Sequence, residues 1–253
     1  MVRNLTAKSG LLGSAGDGQV GAGAIDEPAQ RPARQPARGK ARITVAAIVE
    51  TAFAIIEAEG YEALTMRRVA AALETGPASL YGHVRNKAEL DDLLIGELSS
   101  TINLPVPSSR EWRSQILEVC AQLRDRYLRY PGISRAALAF VPTNLKTLRI
   151  NEGMLAILLA GGIAPHTAAW TIDALFLYVS AYCLELSFMR EQPDNAGSDG
   201  RVLTRTELVE RFERLPVDSF PNTVRFANEL TSGDGHDRFD FTIALMLAGL
   251  TQR

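Results

Sequence analysis

From residue 43 onward apolar residues recur every three or four positions, and no segment alternates convincingly with period two. That spacing lays an apolar stripe along one face of a helix and argues against half-buried strands. The expected fold class is therefore all-α. Thr44 is placed to cap a first helix, with Ile48, Ala52, Ile55 and Ile56 on one face and Gly60 at its end. Thr65 can cap a second helix whose Val69, Ala70 and Leu73 point inward. Glu74, Thr75 and Gly76 form a turn, and Pro77 suits the start of a short third helix anchored by Leu80 and Val84. Asn86 to Glu89 reads as a capping box. It opens a fourth helix with Leu90, Leu93, Leu94 and Leu98 inward.

Pro105 and Pro107 mark a break. Further helices are expected over 110–130, 132–139, 144–160, 165–190, 206–214 and 237–251, with loops over 191–203 and 215–236. The division into domains follows: a disordered, basic Gly/Pro/Ala-rich tail over 1–40, a head over 41–101 whose first three helices include the motif 65–84, and a helical body over 108–253. Within 168–189, seventeen of 22 residues are apolar. A membrane span is rejected, because Asp173 and Glu185 would each be costly in hydrocarbon. A helix apolar nearly all round needs burial by protein on several sides. The last helix repeats that excess with Phe239, Phe241, Ile243, Leu245, Met246, Leu247 and Leu250. A two-fold homodimer contact hides both surfaces more naturally than a monomer does.

The net charge of −2 conceals an uneven distribution. Residues 1–40 carry a net +3, residues 41–90 a net −1 and the remainder a net −4. A basic leader on an acidic body suits an anionic partner at the N-terminal end. Arg31, Arg34, Arg38, Lys40 and Arg42, spaced along a Pro-containing segment, suit phosphates or a minor groove; a solvated linker is the plain alternative. Gly16, Gly18 and Gly21 match a dinucleotide-binding pattern in letters only, since no strand precedes them and no helix follows. No apolar run long enough for a secretory signal occurs in the first forty residues. Cys120 and Cys183 form neither a close pair nor a metal-ligand spacing, so a reducing, cytoplasmic setting is expected, with no structural metal.

The arrangement at 65–84 carries the functional signal. A helix-turn-helix sends its second helix into the major groove while the first crosses the backbone. The outward face of the short helix must then be small or polar, and it offers Pro77, Ala78, Ser79, Tyr81 and Gly82. Arg67, Tyr81, His83 and Lys87 are donors that can reach phosphates. By pattern alone, two amphipathic helices and a short turn also occur in many proteins that bind no DNA.

Leu64–Leu73 (LTMRRVAAAL), Pro77–Val84 (PASLYGHV) and Asn86–Leu90 (NKAEL) together resemble the DNA-binding domain of the TetR family of transcriptional regulators, without gaps from about Arg42 to Thr101. A weaker resemblance, over Trp112–Leu117 and Phe239–Leu250, is to the regulatory domain of the tetracycline-repressor branch. The resemblance implies an N-terminal helix-turn-helix domain and a C-terminal ligand-binding and dimerisation domain. It implies DNA contacts by Thr65, Arg67, Pro77, Ala78, Ser79, Tyr81, Gly82, His83 and Lys87. Within that set, Arg67 is the best-suited reader of guanine and Ala78 can touch a thymine methyl. Two departures stand out: Glu74 replaces the usual glycine of the turn, and Gly82 replaces a large side chain.

The resemblance further implies a homodimer that binds a palindromic operator in double-stranded DNA, represses transcription, and is released by a small-molecule effector. Candidate pocket residues are Trp112, Arg135, His166, Trp170, Asp173, Tyr178, Tyr182 and Glu185, each equally suited to core or dimer contact. His166 does not align with the family's metal-binding histidine, so neither magnesium nor tetracycline is carried over, and no cofactor is expected. The alternatives are an activator or a ligand-free DNA-binding scaffold. An enzyme is disfavoured, because no nucleophile–base pattern, phosphate loop or two-histidine metal spacing occurs.

Overall fold

The computed structural model describes residues 43–138, 144–191, 203–233 and 235–250. They belong to one unit, Arg42–Arg253, and are helical, with no strand among them. The tail, with its basic residues up to Arg42 and its glycine pattern, lies outside the described residues.

Helix α1 spans Val45–Glu59 and is capped as its sequence dictates. The Thr44 hydroxyl accepts from Ala47 N–H, and Gly60, at φ 81°, ends the helix with its N–H on Ile56 O. Its buried face is Ile48, Ala52, Ile55 and Ile56. A single 3-10 turn, Tyr61–Ala63, was not expected; it leads into α2, Met66–Ala72, capped by Thr65. Helix α3 is only Pro77–Tyr81, so His83 and Val84 follow its last turn. Leu80 and Val84 are fully buried, each contributing about 1.5–3 kcal/mol of anchoring.

Helix α4, Lys87–Ser100, is capped by Asn86, whose side chain accepts from Glu89 N–H. The expected capping box is incomplete. Glu89 reaches past Asn86 to accept the Arg85 N–H at 2.6 Å, and it also pairs with the Arg85 guanidinium. Helix α4 packs on α1 on one side. On the other it meets α5 (Trp112–Arg129), α6 (Ser134–Leu138) and α7 (Leu145–Ala160). It is thus a shared wall of head and body.

Helix α8, Pro165–Glu191, crosses the body against α5, α6 and α7. It is long and apolar enough to cross a membrane by length and composition, yet Leu175, Val179, Tyr182 and Cys183 are buried in the protein core. Helix α9, Arg205–Glu213, starts in a complete capping box between Thr204 and Glu207. Two one-turn helices, α10 (Pro221–Arg225) and α11 (Ala227–Leu230), interrupt the stretch 215–236 expected to be a loop. They are too short to leave a periodic trace. Helix α12, Asp237–Ala248, packs on α5 and α8 through Phe239, Ile243 and Leu247.

Candidate nucleic-acid interface and ligand cavity

The turn between α2 and α3 closes by backbone hydrogen bonding. Thr75 N–H donates to Ala70 O at 2.9 Å and Glu74 N–H to Ala71 O at 3.1 Å. This is the Schellman pattern, which requires a left-handed residue after the helix, and Glu74 supplies it at φ 51°. Glu74 is the only non-glycine at positive φ among the described residues. The turn therefore closes without the family's glycine, and the strain of the left-handed conformation falls on a glutamate. Gly76, at φ −80°, needs no such freedom; it serves as the N-cap of α3.

The turn presents Pro77, Ala78, Ser79, Tyr81, Gly82 and His83 on one exposed surface, with Thr65 and Arg67 exposed at the start of α2. Tyr81 is 50% exposed, unusual for an aromatic ring that serves only packing. Arg67 makes no ion pair among the described residues, whereas its neighbour Arg68 is fixed to Glu59 at 2.5 Å. That hydrogen bond holds the Glu59 carboxyl below the usual carboxylate range. An uncommitted guanidinium beside a lean helix surface is what direct base readout requires.

Lys87 differs from the rest of this set. Its ammonium lies 2.5 Å from Asp91 and 2.8 Å from the Tyr61 hydroxyl, over the Tyr61 ring at 4.0 Å. Burial and the Asp91 carboxylate push the Tyr61 phenol well above its ordinary range, so it stays neutral beside the ammonium. Tyr61 in turn donates its N–H to Pro131 O at 3.1 Å, at the turn between α5 and α6.

Behind the head, α4, α5, α6, α7 and α8 line a partly open cavity of about 430 Å³. Ile95, Ile172, Phe176 and Leu177 make its apolar walls, and Ser99, Thr147, Asn151, Asp173 and Ser180 its polar points. Thr147 Oγ1 and Asn151 Oδ1, one turn apart on α7, are buried without a hydrogen-bond partner. Each such atom costs about 1–3 kcal/mol unless something bonds to it. A more open hollow shares Asn151, Ala169 and Ile172 with this cavity and adds Arg149 and Glu152. A molecule with an apolar body and hydrogen-bond donors fits such a lining.

Of the residues expected from sequence to line a pocket, Asp173 lines this cavity and the other seven stand outside its lining. Trp112 is buried against Gly161, with Arg113 over its ring at 4.2 Å. Arg135 pairs with Glu62 on the surface. His166 and Trp170 pack against each other with tilted rings, centroids 4.4 Å apart, near the exposed start of α8. Tyr178 and Tyr182 pack on Phe239, and Tyr182 also bonds His236 at 3.0 Å. Glu185 pairs with Arg238. These last three hold α12 in place. The cavity's own polar residues, Ser99, Thr147, Asn151 and Ser180, were missed. Their signal is a polar residue inside an otherwise apolar helix face.

Two family models match the chain. One, described as the tetracyclin repressor-like C-terminal domain, covers residues 104–253; the other, bacterial regulatory proteins of the tetR family, covers 48–91. An HTH-type transcriptional regulator of Saccharopolyspora erythraea is 29% identical over 211 residues, covering 83% of this chain and 86% of that protein. The transcriptional repressor DrrR1 of Streptomyces coeruleorubidus is 27% identical, covering 83% and 78%. The TetR family protein ActR of Streptomyces coelicolor, in complex with actinorhodin, is 36% identical with a TM-score of 0.73, covering 83% and 95%. On these matches the chain belongs to the TetR family as a transcriptional regulator, not an enzyme.

Proposed function

We propose that the chain is a homodimeric repressor that binds a palindromic operator and leaves it when a small molecule fills the cavity behind the head. One observation carries this reading: α4 belongs to both ends. Its Ile95 and Ser99 line the cavity, and its N-terminus, at Lys87, follows directly on the exposed surface of α3. A ligand that displaces Ile95 or Ser99 shifts the angle at which α3 is offered to DNA. Binding the DNA-incompetent state more tightly by about 1–3 kcal/mol is enough to change DNA affinity some fivefold to 150-fold.

The apolar surface supports a dimer. Trp170, Leu177 and Phe188 on α8 and Phe241 and Leu245 on α12 are 44–70% exposed, at helical spacing on each helix. Two copies joined across these stripes bury them and present two reading heads to one face of the duplex. The nine residues of the head, Thr65, Arg67, Pro77, Ala78, Ser79, Tyr81, Gly82, His83 and Lys87, supply positioning and readout. The basic stretch 31–42 adds phosphate contacts. The site of action is the cytoplasm, where bacterial operators lie. The effector has an apolar body and hydroxyl or amine donors for Asn151, Thr147 and Asp173. Actinorhodin, bound by the 36% identical ActR, is the first compound to try.

The test is selection of bound duplexes from a random pool, followed by challenge with small molecules. The reading expects inverted repeats and release by at least one compound that fits the cavity. Bound repeats with no release by any compound favour a ligand-free scaffold. Bound single, asymmetric sites count against the dimer.

A further inference from the structure

Lys87 is the first residue of α4, yet its side chain does not extend outward from that end. It folds along the helix to Asp91, one turn on, and onto Tyr61, with only 32% of its side chain exposed. Asp91 is more deeply set, at 13%. In this arrangement the ammonium is committed to the Asp91 carboxylate and the Tyr61 hydroxyl and ring. Tyr61 is itself held from the body. Besides its bond to Pro131, it packs against Gly132, at φ 80°, where an added Cβ would stand 3.0 Å from Tyr61 Cβ. The adjacent Glu62–Arg135 ion pair clamps the same junction. Arg135 lies on α6, whose other end, Ala137 and Leu138, lines the cavity.

We propose that Tyr61 and Asp91 form a latch that keeps Lys87 off the DNA phosphates, and that the turn between α5 and α6 sets the latch. DNA binding must open it, so part of the phosphate attraction is spent within the protein. The proposal rests on the DNA-binding reading of the head and adds a regulated contact to it. The reason for a latch instead of a support lies in the partners: the ammonium already holds a carboxylate, a hydroxyl and a ring, and a phosphate must compete with them for it.

The experiment is a salt series of binding to a mixed-sequence duplex, which isolates phosphate contacts from base readout. Six full-length proteins carry it: wild type, Tyr61→Phe, Lys87→Gln, Arg135→Ala, and Lys87→Gln combined with each of the other two substitutions. Tyr61→Phe changes no charge and keeps the ring. It is expected to tighten binding about threefold to tenfold, the worth of one partly exposed charged hydrogen bond. Lys87→Gln is expected to lower the salt slope by about 0.9 per head, and Tyr61→Phe to have no effect in that background. Arg135→Ala, which loosens the seat without touching Tyr61 or Lys87, is expected to tighten binding only while Lys87 is present. The latch is overturned if Tyr61→Phe weakens binding, leaves it unchanged while lowering the melting temperature, or tightens it equally without Lys87. An unchanged slope in Lys87→Gln overturns the phosphate contact itself. Absence of binding by the wild type counts against the DNA-binding reading of the head instead.

Discussion

The turn before the recognition helix offers a sharp test, because its strain rests on one side chain. Glu74 holds the left-handed conformation that closes the Schellman pattern, is exposed, and makes no ion pair among the described residues. A β-carbon in that region costs about 1–2 kcal/mol. Replacing it by glycine removes that cost but frees the unfolded chain, which takes back roughly 0.5–1 kcal/mol. Glu74→Gly is therefore expected to stabilise the protein by about 0.5–1 kcal/mol. For a chain of this size that raises the melting temperature by about 1–4 °C. Urea unfolding at neutral pH measures it, with Glu74→Ala as the control that keeps the β-carbon and removes the carboxylate. The control is expected to stay within about 0.5 kcal/mol of wild type. If glycine gains nothing, or alanine gains as much, the strain is not where the backbone places it.

Three further outcomes follow from the body. Asn151→Leu removes an unpartnered buried oxygen and fills part of the cavity; melting is expected to show about 1 kcal/mol of added stability, and DNA release assays a loss of response to any effector. Gly161→Ala sets a methyl 2.5 Å from the Trp112 ring, so urea unfolding is expected to show a loss of about 1–3 kcal/mol. Burial pushes the Cys120 and Cys183 thiols up to about 12. A thiol reagent at pH 8 is expected to modify neither in the folded protein and both in denaturant. Because the folded state favours the thiol form, this contribution is complete below pH 9, the ordinary thiol value, and erodes above it.

The head was legible in the sequence because its signals are local. Thr44, Thr65 and Asn86 act on N–H groups three residues away, Pro77 opens α3, and Leu80 and Val84 are one turn apart, so spacing alone places them. What was not legible depends on distant partners. Lys87 looks like a free cation until the fold brings Tyr61 across from 26 residues away. Tyr178, Tyr182 and Glu185 look like pocket groups until α12 arrives to occupy them. Conversely, Asn151 and Ser99 stand out locally only as polar residues on an apolar helix face, and nothing in their neighbourhood reveals that five helices leave a hollow there. One chance was missed: Thr204 and Glu207 spell a capping box that fixes the start of α9 one residue earlier than expected.

The most direct measurement is protection of a selected duplex by the wild-type protein at modest salt, alongside Arg67→Ala. The account predicts two protected half-sites, about one helical turn apart or somewhat further, each bound by one copy of the chain. It also predicts that Arg67→Ala costs about 1–3 kcal/mol and relaxes preference at one base pair in each half. No protection in the absence of small molecules, or protection that Arg67→Ala leaves unchanged in both strength and sequence preference, would contradict it.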